Sequence, residues 1–367
     1  MVRQKVMNFR ALPVYVGDAF LLHSPFGTTL VDAGQNKKHI LKLLKQERIT
    51  KNHFNLLVCT HYDADHIKGI IGILESQSYT FDEIWLPEIL GSLAYTVSET
   101  LMDILKRLRN LNPEDVENLI QKAKDISRNE TPPKIPEDSP IKTANLDTLK
   151  DYLQFYRYHE HLFLIHHVLD WPSPSDLPIQ AMLTNLNAAM TAVSSSLSSG
   201  AHVRWFHYSK DMTNKHYDDF GMSTLNSIET AVTLYKPDVF LQQLYLTTIN
   251  VESLVFKFSC ENYPEVLFCA DSDLSFTNNH IKLKDESVVT APHHGSDSCN
   301  NAYGRIDGSD LIYVRSDRSQ TQRPGKGFLG QSNRYCTICR NKGPKQKVEV
   351  SYKGGTPKVR GKKCKCK

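Results

Sequence analysis

The sequence predicts an α/β fold, and three observations carry that prediction. Short β-rich runs alternate with helical patterns over residues 5–86. An apolar run, residues 54–60, stops at a dense polar cluster, His61-Tyr-Asp-Ala-Asp-His66. Such folds carry their chemistry at the carboxyl ends of buried strands. Strand-like runs return after residue 250, and they too end in polar groups, at Asp271 and at His293-His294. A chain of 367 residues that is 40 % hydrophobic suits one large domain with an insertion or a small appendage, and it argues against global disorder.

The elements follow in order. Residues 5–12, 14–23 and 28–32 read as strands, broken by turns at Pro25-Phe26-Gly27 and Gly34. Lys37–Gln46 places Ile40, Leu43 and Leu44 on one helical face. Residues 54–60 form a buried strand, 67–75 return to a helical period, and 82–86 are strand-like again. The segment 96–170 reads as a helical insertion. Helices are expected over 98–110, 113–127 and 146–169, with a Pro- and acid-rich loop at 129–140. Asn112, Pro113, Glu114 and Asp115 give the second of these a capped N-terminus. Residues 194–200, mostly serine, read as a flexible loop. Strands are expected at 253–259, 265–270, 288–292 and 311–315. The division expected is a main domain over 1–327 and a small segment over 328–367.

That last segment is chemically distinct. It holds twelve Lys or Arg against one acid, Glu349, a balance of +11 in a chain whose net charge is +4. The other residues therefore carry −7, and a basic tail on an acidic body points to nucleic acid as partner. The same segment contains Cys336-x2-Cys339 and Cys364-x-Cys366, a spacing suited to a structural zinc. No apolar run approaches the ~20 residues that cross a bilayer, and residues 1–12 are too polar for a signal peptide. The expectation is a soluble, cytoplasmic protein without a membrane partner.

His61, Asp63, Asp65 and His66 offer two imidazoles and two carboxylates within six residues. In an extended segment residues 61, 63 and 65 point the same way, with His66 opening a helix. A capping Asp would be ordinary here, but four potential ligands straight after an apolar strand suit a metal site. His159, His161, His166 and His167 are spread over several helix faces and read as structural.

The segment Thr60-His-Tyr-Asp-Ala-Asp-His66 resembles the HxHxDH signature of the metallo-β-lactamase superfamily, with Asp63 in place of the second His. In that HxDxDH form it is similar to the hydrolase domain of ComEC-type competence proteins. Further pieces resemble the family in the same order: Tyr15-Val-Gly-Asp-Ala19, Leu30-Val-Asp-Ala-Gly34, Glu252-Ser-Leu-Val255, Leu267-Phe-Cys-Ala-Asp271 and Ala291-Pro-His-His-Gly-Ser296. The resemblance covers residues 5–315 and implies an αββα sandwich. It implies that His61 and Asp63 bind one metal, Asp65 and His66 the other, that Asp271 bridges them, and that His293 or His294 completes the second site. Asp32 would orient the ligand loop. For a third-motif ligand, His202 and His207 lie in the right stretch, and Asp273 is an alternative to Asp271.

Two such cations suit phosphodiester hydrolysis. Oxygen-rich donors favour Mn²⁺ or Mg²⁺ more than nitrogen-rich ones do, with Zn²⁺ still open to the site, and the expected pair of cations is Mn²⁺ or Zn²⁺, with Mg²⁺ a further option. The leading expectation is a metal-dependent phosphodiesterase, a nuclease by its charge, with Asp63 and Asp65 central to catalysis. The competing expectations are a small-molecule hydrolase of the same fold, on a cyclic nucleotide or a lactone, and a nucleic-acid-binding protein with a degenerate site.

Overall fold

The computed structural model describes residues 7–47, 49–96, 177–233, 252–318, 323–339, 345–353 and 356–366. The helices expected over 98–110, 113–127 and 146–169, and their histidines, lie outside the described residues.

Strands β1 (Met7–Ala11), β2 (Phe20–Ser24) and β3 (Gly27–Val31) form an antiparallel meander. Helix α1 (Lys37–Gln46) follows, with the Asn36 side chain accepting from the His39 amide and Ile40, Leu43 and Leu44 buried. Next come β4 (His53–Val58), α2 (Ala64–Ser76) and β5 (Thr80–Pro87). Helical backbone over 88–96, here α3, precedes α4 (Leu177–Ser198) and β6 (His202–Tyr208). Strands β3, β4, β5 and β6 run parallel. Short strands β7 (Lys215–Tyr217), β8 (Met222–Thr224) and β9 (Ser227–Thr230) lead to β10 (Phe256–Cys260) and β11 (Tyr263–Phe268). Then follow β12 (Ile281–Lys282), β13 (Val288–Thr290), β14 (Ile306–Asp307), β15 (Ile312–Arg315), the one-turn α5 (Lys326–Leu329), β16 (Arg334–Cys336), β17 (Val348–Lys353) and β18 (Thr356–Arg360).

Among the described residues these strands make two large mixed sheets, ordered β18-β17-β1-β2-β3-β4-β5-β6-β9 and β16-β15-β13-β11-β10-β8-β7, with β12 and β14 paired separately. The two sheets share one core, where Phe9, Phe20, Val58, Trp85 and Val350 of the first meet Phe256, Phe258, Phe268 and Val314 of the second. Helices α1 to α4 cover the outer face of the first sheet through Ile40, Ile70, Leu90 and Val193. The outer face of the second is covered by 3-10 turns and α5, through Cys299, Tyr303 and Phe328. The chain is thus an α/β sandwich. No helix among the described residues is long and apolar enough to cross a membrane.

Three expectations change. Only the end of 14–23 is strand, because residues 15–17 bend into a turn with Gly17 at φ +91°. Residues 194–198 are the last turn of α4, with Ser194, Ser195 and Ser196 buried. Their small side chains let α4 lie close to its neighbours, which a reading of serine as a loop former overlooks. Residues 328–367 do not form a separate unit. β16 joins the second sheet beside β15, while β17 and β18 extend the first beyond β1. Val348, Val350 and Tyr352 alternate at the period of a strand and are fully buried between the sheets.

Candidate metal centre

The site is assembled by loops that leave the carboxyl ends of parallel strands. β4 delivers residues 59–63, with the Cys59 amide held by the Trp85 carbonyl (2.9 Å). Asp63 occupies the N-cap position of α2, yet its side chain makes no capping bond. Its carbonyl instead accepts from the amides of His66 and Ile67 (2.9 Å each). The carboxylate itself groups with His61 and Asp271. From the second sheet, β11 leads to Asp271 and β13 to His293 and His294. The two loops are joined by His293 N donating to Ala270 O (2.8 Å). Asp32, Ala270, His293 and His294 all have positive φ. Left-handed backbone at four non-glycine residues is strain that tight packing must hold, and it gathers at functional sites. The packing around the ligand loop is correspondingly close. A Cβ on Gly17 would fall 1.6 Å from the Asp65 carbonyl oxygen, and one on Gly69 1.9 Å from that of Ala33.

Asp271 is the centre of the arrangement. Its Oδ1 lies 3.2 Å from His294 Nε2 and 3.4 Å from His66 Nε2. Its Oδ2 lies 3.3 Å from His293 Nε2 and 3.8 Å from His61 Nε2. Two ligand groups result, Asp18, His66, Asp271 and His294 in one and His61, Asp63 and Asp271 in the other, so Asp271 belongs to both. Asp65 closes the remaining side, with Oδ2 3.4 Å from His294 Nε2.

The imidazoles are turned by hydrogen bonds at their far nitrogens. His66 Nδ1 donates to Asp32 Oδ2 (2.8 Å), and His294 Nδ1 to Asp18 Oδ1 (3.1 Å). His61 Nδ1 donates to Thr60 Oγ1 (3.0 Å), which itself donates to Asp32 Oδ2 (2.6 Å). Each network assigns the proton to Nδ1 and leaves an Nε2 lone pair facing inward. The His66 and His294 Nε2 atoms stand 3.2 Å apart. Two lone pairs at that distance repel unless a cation or a proton lies at them. In addition, His61 Nε2, Asp18 Oδ2 and Asp271 Oδ1 are buried and make no hydrogen bond. A buried polar atom left so is costly, and cations held by the two groups would satisfy His61 Nε2 and Asp271 Oδ1. The donor set therefore fits divalent metal, with carboxylates and imidazoles suiting Mn²⁺ and Zn²⁺ better than a soft ion such as Cu⁺.

Electrostatics agree with a site organised for positive charge. Burial disfavours the Asp271 anion, but His294 and His66 outweigh it and hold its pKa well below the usual carboxylate range. Burial likewise opposes the cations of His66 and His294. The carboxylates of Asp32 and Asp271, and of Asp271 and Asp18, outweigh it and raise both imidazoles well above their ordinary value. Burial and the neighbouring His66 lower His61 to about 4. Burial also lowers His293 and raises Asp18. Asp65 lies below its ordinary value, because His294 and His66 outweigh its burial.

No family model matches this chain, and no curated protein matches it.

The sequence-derived residues His61, Asp63, Asp65, His66, Asp271, His293 and His294 are brought together, with Asp32 behind them. His294, fully buried and hydrogen-bonded to Asp18, joins the four-ligand group, while His293 is 22 % exposed at the rim. Asp273 accepts from Ser275 N (2.8 Å) as a turn residue and stays outside the ligand groups. His202 and His207 also stay outside, paired with Glu83 and Glu88 on β6. Asp18 was missed. Its signal was an acid in the otherwise apolar Val16-Gly-Asp-Ala-Phe20. The four cysteines Cys336, Cys339, Cys364 and Cys366 form a second cluster able to hold a metal ion, their sulfurs all within 4.8 Å of one another.

Proposed function

We propose that this chain is a metal-dependent phosphodiesterase of metallo-β-lactamase type, acting on nucleic acid. The observation that carries the reading is the set of four imidazole Nε2 atoms around one buried carboxylate, Asp271, with further carboxylates at its sides. The layering of helices, two sheets and short helical turns supports the same reading, as does the order of the motifs along the chain.

In this reading His61, Asp63 and Asp271 hold one divalent cation, and His66, Asp271, His294 and Asp65 the other. When bound, such a pair supplies Lewis acidity toward phosphoryl oxygens and a water acidic enough to attack at neutral pH. The chain's own residues do the positioning. Asp32 fixes His66 and, through Thr60, His61; Asp18 fixes His294. Fixing each ring leaves little reorganisation for the reaction. Burial lowers the pKa of His293 and favours its neutral ring, which at the rim is suited to accept a proton from the attacking water. The basic strands of residues 328–367 give a polyanion its electrostatic foothold on an otherwise acidic chain.

The test incubates purified protein with single- and double-stranded DNA, RNA, a cyclic nucleotide and a chromogenic phosphodiester, each with Mn²⁺, Zn²⁺ or Mg²⁺. Metal-dependent cleavage of a nucleic acid is expected. Hydrolysis of the cyclic nucleotide alone would replace nucleic acid with a small-molecule substrate, and no cleavage of any would remove the enzymatic reading.

A further inference from the structure

We infer that Cys336, Cys339, Cys364 and Cys366 hold a structural zinc ion that fastens the outer edges of the two sheets together beside the His294 turn. The first ground is where the sulfurs come from. β16 is the edge strand of one sheet and β18 the edge strand of the other. Cys336 ends β16 and Cys339 follows it, while Cys364 and Cys366 follow β18. The chain beyond β18 leaves its own sheet and crosses to the other. Tyr335 bridges Lys363, and Cys364 N donates to Arg334 O (2.9 Å). The sulfurs meet where Gln346 also joins the two edges, its amide donating to Thr337 O (2.9 Å) and its side chain to Cys336 O (3.1 Å).

The second ground is donor chemistry. None of the four cysteines is in a disulfide, and their sulfurs lie within 4.8 Å of one another, with Cys336 and Cys364 Sγ 3.1 Å apart. A tetrahedron of thiolates at the ~2.3 Å of a zinc–sulfur bond has edges of ~3.8 Å, within the span observed. An all-sulfur set excludes Mg²⁺ and Mn²⁺ and leaves zinc, or iron, as the cation that prefers it. With these four the only donors of the cluster among the described residues, and three of them buried, such a centre is closed, as structural zinc sites are.

The third ground is a buried cation. Arg315 is fully buried at the end of β15, with Nε 3.5 Å from Cys336 Sγ. Its other nitrogens donate to the carbonyls of Arg318 (3.1 Å) and Ile338 (3.0 Å). A desolvated guanidinium is stable beside sulfur that carries negative charge. Four thiolates around Zn²⁺ leave a net charge of −2 to face it. Cys366 N also points at Cys364 Sγ (3.4 Å), as amides do toward thiolate acceptors.

Arg315 links this centre to the other one. A Cβ on Gly295, φ +76°, would lie 3.3 Å from Arg315 Cδ, and Gly295 directly follows His294. The tetrathiolate thus holds the arginine that walls the His293-His294 turn.

The test measures zinc in the full-length Asp271→Ala chain after dialysis against a chelator, so that the His/Asp centre contributes none. About one zinc per chain is expected, released in step with titration of its thiols by p-hydroxymercuribenzoate and read with a zinc indicator. Cys364→Ser should lack it. If that variant does not fold, the mercurial titration of the folded chain decides alone. A chain without zinc, zinc indifferent to the mercurial, iron in its place, or cysteines already oxidised would each overturn the inference. The result is independent of the phosphodiesterase reading, since zinc here with no metal at Asp271 would sink that reading and leave this one standing.

Discussion

The His/Asp cluster is built from loops at the carboxyl ends of parallel strands in both sheets, whereas the four-cysteine cluster is built from the edges of those sheets. Their donors differ in the same sense. The first mixes imidazoles and carboxylates, each ring steered by a carboxylate or hydroxyl behind it, and one wall, at Asp63, Asp65 and His293, is only partly buried. The second is sulfur alone and closed. An open site with oriented ligands can admit a substrate, and a closed one can only hold the fold. The contrast teaches that two clusters able to hold metal in one chain need not share a role. It also says which variants should change turnover and which should change stability.

The largest expected effect lies at the residue common to both ligand groups. Asp271→Ala should lower metal-dependent cleavage of a chromogenic phosphodiester by at least about 10³-fold, because it removes a shared ligand and leaves four imidazoles facing one another. Asp63→Ala and Asp65→Ala should follow it. Circular dichroism should be unchanged in all three. Near-native turnover of any of them at saturating Mn²⁺ would break the assignment of this cluster as the catalytic one.

The adjacent histidines offer a finer cut. His294→Ala should lose bound metal, measured by elemental analysis, since its Nε2 lies 3.2 Å from Asp271 and its Nδ1 is fixed by Asp18. His293→Ala should keep its metal and lose about 10²- to 10⁴-fold in rate, the range of a lost general base. The opposite pattern would exchange their roles.

Much of this was legible in sequence because it was local. Lys37–Gln46 shows its buried face at helical spacing, and His61 to His66 places four candidate ligands within six residues. Asp271 was legible because it closely follows a strand-like apolar run. Asp18 was not, because what defines it is a hydrogen bond to His294, 276 residues away. Residues 348–352 were hidden differently. Their alternation Val-Glu-Val-Ser-Tyr is that of a half-buried strand, but the lysines around it dominate the composition. Ser194 to Ser196 misled for a physical reason, since small polar residues serve both loops and close helix contacts.

The residues behind the ligands should have intermediate effects. Asp32→Asn and Asp18→Asn remove the acceptors that orient His66, Thr60 and His294. Metal affinity should fall about 10- to 100-fold, the usual effect of losing such a partner. Titration of the metal-free chain with Mn²⁺ or Zn²⁺ measures it. Unchanged affinity in Asp18→Asn would reduce Asp18 to a packing residue.

The smallest expected effect concerns substrate hold, and the fold dictates how to probe it. Deleting residues 328–367 would strip β16, β17 and β18 from both sheets and remove all four clustered cysteines, so loss of binding after truncation would report unfolding. Charge must be removed with the strands left in place. Lys358, Lys362, Lys363 and Lys365 are exposed on β18 and the segment after it. Replacing all four by Gln keeps their aliphatic reach and leaves every buried position alone. Each phosphate contact contributes roughly −0.9 to the slope of log affinity against log salt on duplex, and roughly −0.7 on single strands. The quadruple variant should therefore bind nucleic acid with a slope shallower by between about 1 and about 4, with affinity falling most at low salt. Its rate on the small chromogenic diester should be unchanged, because none of the four lies among the His/Asp ligands. Equal slopes for wild type and variant, measured at two or more salt concentrations, would detach the basic strands from substrate binding and move the preferred substrate to a small phosphodiester.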